Sequence, residues 1–74
     1  MEKFITSDLY LSAFLKTKGF KLTIEKNKNK YNFVFDGSES LTSNVNDYLT
    51  ENATCEPLSF TNSIKNLKNL MYNI

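Results

Sequence analysis

The first residues to weigh for covalent or acid–base chemistry in this 74-residue chain are one thiol, Cys55, and eight carboxylates, and no histidine accompanies them. A cysteine nucleophile needs a neighbouring base or a positive field to form its thiolate, and histidine is the usual base as well as the commonest neutral metal ligand. Cys55 therefore reads as a small, partly buried residue in a reducing compartment. The carboxylates are scattered over polar stretches, with no pair at a spacing that suggests shared acid–base work. Gly19 and Gly37 stand alone, so no glycine-rich loop is available to cradle a phosphate. The expectation is a non-enzyme with no catalytic residue, no metal site and no cofactor, which works by binding.

Binding chemistry is better represented, because the charges are divided along the chain. Residues 16–30 carry six lysines against Glu25, a balance of +5, while residues 31–64 carry five acids and no lysine, a balance of −5. The whole chain is nearly neutral at +1. Lys21, Lys26, Lys28 and Lys30 make a candidate basic contact surface, since lysines on a projecting ribbon can follow a phosphate backbone. All nine cations are lysine, so the bidentate arginine forks that dominate base readout are missing. Asp36, Glu39, Asp47 and Glu51 make the candidate acidic surface, thin for a mimic of DNA phosphates and ordinary for a solvated helix face. Lysine without arginine, together with ten asparagines, is also what an AT-rich genome produces.

Length and composition bound the scaffold that must carry these residues. The chain is expected to form a single domain over 1–74, and a domain this small buries only about 60–65% of the surface its unfolded chain exposes. With one cysteine there is no disulfide to staple it, so the core must come from the 41% hydrophobic and 14% aromatic residues. No apolar run is long enough to cross a bilayer, and Met1 to Ile5 runs into polar Thr6 instead of a signal-peptide core. A cytoplasmic domain is expected.

Lys3 to Thr6 can form a short strand. Thr6 or Ser7 can cap a helix in which Leu9, Tyr10, Leu11, Ala13, Phe14 and Leu15 are apolar, Asp8, Ser12 and Lys16 form a narrow polar side, and Gly19 is the stop. Phe20 to Glu25 and Tyr31 to Asp36 alternate apolar and polar and read as an antiparallel hairpin around a Lys26–Lys30 tip. Ser38 can cap a second helix with Leu41, Val45, Tyr48 and Leu49 on one face. After a loop over 52–56, Pro57 suits the first turn of a third helix, striped by Phe60, Ile64, Leu67 and Met71 and widened by Leu70 and Ile74. The predicted fold class is α+β, in the order (β)αββαα, with sheet order 2-3-1 and helices on one face. Phe14, Phe33, Phe35 and Leu67 are the predicted core. The four tyrosines, one per element, are expected mostly to roof it.

Thr6-Ser7-Asp8-Leu9-Tyr10-Leu11, Ala13, Leu15, Gly19, Phe33-Val34-Phe35 and Leu67-Lys68-Asn69-Leu70 resemble a family of short proteins of unknown function carried by phages and other mobile elements of low-GC bacteria. The similarity spans nearly the whole chain through structural motifs. It implies a mobile genetic element in a bacterial cytoplasm and carries over no active site. The function expected is that of a small binding protein directed at a host protein, most concretely an anti-CRISPR-like inhibitor of a host defence system. The alternatives are a nucleic-acid-binding regulator using the lysine hairpin and an oligomeric sponge for a nucleotide signal. Attraction between the +5 and −5 segments of two copies would favour a homodimer.

Overall fold

The computed structural model describes residues 2–73. They form β1 (Lys3–Thr6), α1 (Leu9–Thr17), β2 (Leu22–Asn27), β3 (Lys30–Asp36), α2 (Glu39–Leu49) and α3 (Pro57–Tyr72). The three strands make one antiparallel sheet in the order β1-β3-β2. This is the expected α+β class and strand order.

Register follows the apolar alternation. Phe33 and Phe35 on the central strand are both 1% exposed, and they stand opposite Ile24 and Leu22 on one side and Thr6 and Phe4 on the other. That face of the sheet meets α1, whose residues Leu11 to Leu15 are all buried because the helix packs against both α2 and α3. Leu41 of α2 and Leu67 of α3 complete the fully buried set, with Phe60, Ile64 and Met71 packed partly against it. The four predicted core residues are all within it. The opposite face of the sheet is uncovered, and Ile5, Thr23 and Glu25 on it are exposed.

Several local expectations are corrected. The cap of α1 is Asp8, whose carboxylate accepts from the amides of Tyr10 and Leu11, because Thr6 still belongs to β1 and its hydroxyl accepts from the Asp8 amide. Ser12 does not line a polar side. It is fully buried, and its hydroxyl donates to the Asp8 carbonyl, so a sandwiched helix can afford it. Phe20 lies outside β2 because its amide closes the end of α1. The hairpin tip is tighter than Lys26–Lys30: Asn27 pairs with Lys30, leaving a two-residue turn at Lys28 and Asn29. Leu49, expected on the apolar face of α2, and Leu70, expected to widen the stripe of α3, are 67% and 42% exposed. Ile74, expected to do the same, lies outside the described residues. The loop over 52–56 ends in Glu56, which also caps α3 by accepting from the Leu58 and Ser59 amides.

Gly37 is required where it stands. Its amide donates to the Glu2 carbonyl at 2.9 Å, extending the β1–β3 pairing, and a Cβ there would lie 2.4 Å from that oxygen.

Candidate contact surfaces

The sheet register divides the four lysines of the expected basic surface. Leu22 stands opposite Phe35, so Lys21 falls beside Asp36 at the far end of β2 from the turn, and it lines a shallow recess with Lys3, Thr23, Val34 and Asp36. The other three belong to the tip but point apart. Lys26 is opposite Tyr31, on the helix-covered side, with its ammonium 5.6 Å from the Tyr31 ring centre. Lys30 alternates with Tyr31 and lies on the open side. Lys28 sits between them in the turn with φ of 58°, in the left-handed region.

The four acids are divided too. Asp36 ends β3 and is ion-paired with Lys3 across the strands; the hydrogen bond and charge of that lysine hold its carboxyl below the usual range. Glu39 is in the first turn of α2, where a carboxylate complements the helix dipole. It lines an open groove of about 600 Å³ with Glu2, Ser38, Thr42, Ser43 and Asn46. Asp47 and Glu51 stand at the other end of the same helix, where no basic residue offsets the dipole. Glu51 has φ of 63° and follows the C-cap Thr50. The structure thus brings together Asp47 with Glu51, and Lys21 with Asp36, but forms neither a single basic face nor a single acidic one.

Cys55 is a half-buried free thiol in the connection before α3, next to Glu56. The Glu56 carboxyl is held below its ordinary value by the Ser59 and Leu58 amides it caps, so its charge is committed to the helix. Among the described residues no group of three or more acids and cysteines is placed to hold a metal ion. No helix among them is long and apolar enough to cross a membrane.

What sequence reasoning missed is apolar. Tyr10 is 54% and Tyr72 87% exposed, so two of the four tyrosines do not roof the core. Tyr48 does: its ring packs on Phe14 at 5.5 Å between centroids, and burial, followed by the charges of Asp8 and Tyr10, pushes its hydroxyl pKa up. Tyr10 on α1 is outward and Tyr48 on α2 is braced on the core; the two helices pack together, and exposed Leu49 follows Tyr48. Leu58, in the first turn of α3, is also exposed. The signal for Tyr10 was weak because α1 is apolar almost all round and periodicity does not pick out its free side.

With these surfaces laid out, the comparison with known families can be stated. A family model described as a domain of unknown function (DUF5659) matches residues 1–73. The chain belongs to the DUF5659 family. No curated protein and no solved structure matches it. The DUF5659 match extends from β1 through the last turn of α3, so every surface described above lies inside the family's domain.

Proposed function

We propose that this domain is a non-catalytic binding protein whose target is another protein, and that its most concrete role is inhibition of a bacterial defence system on behalf of a phage or other mobile element. The observation that carries the binding part is the exposure of Tyr10 (54%) and Leu49 (67%) on the packed helices α1 and α2, beside Tyr48, which we take together as one platform. Tyrosine is favoured as an interface anchor because it contributes a large, stiff, half-polar surface for little conformational entropy. Here Tyr48 is fixed against Phe14, and the exposed side chains beside it are held by two packed helices. The acids Asp8 at the cap of α1, Asp47 in α2 and Glu51 just after it suit a basic partner surface. The resemblance to short mobile-element proteins supplies the setting and makes a host defence protein the partner of choice.

The test is expression of the chain in a bacterium with an active CRISPR–Cas system, challenged by a phage that the system targets. Plaque formation should be restored, and Tyr10→Ala or Leu49→Ser should abolish that effect while the purified variants keep the wild-type circular dichroism. Undiminished rescue by both variants removes the platform from the reading. Absence of rescue across defence systems of several types removes the inhibitor role.

A further inference from the structure

The outer edge of β2 is unpaired, and its residues complement themselves. β2 lies at one border of the three-stranded sheet, spans six residues and contains no proline. A second copy related by a two-fold axis normal to the sheet would add its own β2 antiparallel, and residues directly opposite would then lie on the same side of the joined sheet. Only registers centred on a residue of the strand meet that condition. Centred on Thr23, the pairing sets Lys21 against Glu25 of the second copy, twice by symmetry, and Leu22 against Ile24, also twice. Centred on Ile24 it sets Leu22 against Lys26, and centred on Glu25 it opposes two glutamates. Centred on Leu22 it leaves Glu25 without a lysine opposite. One register alone therefore matches charge with charge and apolar with apolar.

The side-chain environment agrees with that register. Lys21, Thr23 and Glu25 are exposed on the open face, where cross-strand charge pairs form without burial. Leu22 and Ile24 are half-buried on the helix side, and with Thr23, Leu70 and Asn73 they line a recess of about 300 Å³ along this edge. Leu70 of α3 is left 42% exposed there. The other border of the sheet offers no equivalent. β1 has four residues, and its only charge, Lys3, is already paired with Asp36.

We propose that two copies of this chain join β2 to β2 about Thr23 into a six-stranded sheet, with paired Lys21–Glu25 contacts on the open face and Leu22, Ile24 and Leu70 closing the helix side. This contact runs along one edge of the sheet and differs from attraction between the basic and acidic halves of the sequence. It does not depend on the proposed inhibitor role, because the Tyr10–Tyr48 platform is on other elements.

Sedimentation equilibrium of the purified full chain tests it. The wild type should dimerise. Lys21→Glu and Glu25→Lys should each weaken the dimer by about tenfold or more, since two attractive cross-strand pairs become repulsive. The double swap K21E/E25K should restore it. In a Cys55→Ser background, Thr23→Cys should form a disulfide-linked dimer on mild oxidation. A wild type that stays monomeric at high micromolar concentration overturns the proposal. So does a dimer that the single swaps leave intact or that the double swap fails to restore.

Discussion

At the end of α1 the amide of Phe20 reaches back to the Leu15 carbonyl at 3.2 Å and that of Gly19 to Lys16 at 3.0 Å; at the end of α2 the amide of Asn52 reaches Asp47 at 2.8 Å and that of Glu51 reaches Tyr48 at 3.3 Å. The hydrogen-bond pattern is the same, a paired closure that requires the residue after the C-cap to be left-handed. In α1 that residue is Gly19, with φ of 92°, and Lys16 in the last turn faces the negative end of the helix dipole. In α2 it is Glu51, with φ of 63°. Its Cβ is strained in that region, and its charge, with that of Asp47, has the wrong sign for the end of a helix. The first helix closes over the core, and its terminal residues are those stability favours. The second closes beside exposed Leu49 with residues that stability alone disfavours. That difference is what the proposed contact at the end of α2 would account for.

The core beneath α1 gives the largest expected effect. Phe33→Ala removes a ring that is 1% exposed from the middle of the sheet, in the same buried cluster as Ala13 and Leu15. It should cost ~3–5 kcal/mol, enough to unfold most of the population of a domain this size. Thermal and urea denaturation measure it, and a variant that melts near the wild-type temperature would mean that the strand phase is wrong.

The two helix ends should then respond in opposite directions. Gly19→Ala meets no atom within 4 Å, so its penalty is backbone strain alone, about 1–2 kcal/mol of lost stability. Glu51→Gly should raise stability by about 1 kcal/mol, by relieving the strain and removing a charge from the wrong end of the dipole. Glu51→Gln separates the two contributions, since it removes only the charge. If Glu51→Gly is destabilising, Glu51 makes a contact that offsets both penalties, and the contrast between the helices fails.

These differences mark where sequence reasoning works. Alternation around Phe33 and Phe35 and the stripe of Phe60, Ile64 and Leu67 were legible because one face of each element is buried and the other is not. Gly19 was legible as a stop because glycine is the residue the conformation prefers. Glu51 was not, because nothing in its type announces a left-handed backbone. Leu49 and Leu70 follow the helical period closely enough to join a buried stripe, and only the position of the neighbouring elements leaves them outside. The division of charge was visible along the chain, but register decides what it becomes in space. Asp36 is spent on Lys3, and Lys21 is carried to the end of the sheet opposite the turn.

The smallest expected change in stability belongs to the hairpin tip, and it sharpens the comparison from the basic side. Replacing Lys26, Lys28 and Lys30 with Gln should shift stability by less than about 0.5 kcal/mol, because all three are exposed. Their arrangement is the more telling point. Lys26 lies over Tyr31 on the helix-covered side and Lys30 on the open side, so a duplex laid flat against either face would meet part of the cluster. A strand that straddles the turn would meet all three. In that case, affinity for a short DNA probe should fall with salt at a logarithmic slope of about 2–3, and the triple variant should lose that slope. Measured by fluorescence anisotropy, such a slope would move the main contact from the end of α2 to the tip. The expected outcome is weak binding with no resolvable slope, the lysines keeping an otherwise bare two-residue turn charged and solvated. The matching replacement of Glu39, Asp47 and Glu51 with Gln and Asn should instead slow association with the true partner, since charge at an interface acts chiefly on encounter. If both triple variants bind that partner at wild-type rates, the divided charge serves solubility alone, and the asymmetry between the helix ends must be explained by Leu49 and the tyrosines without it.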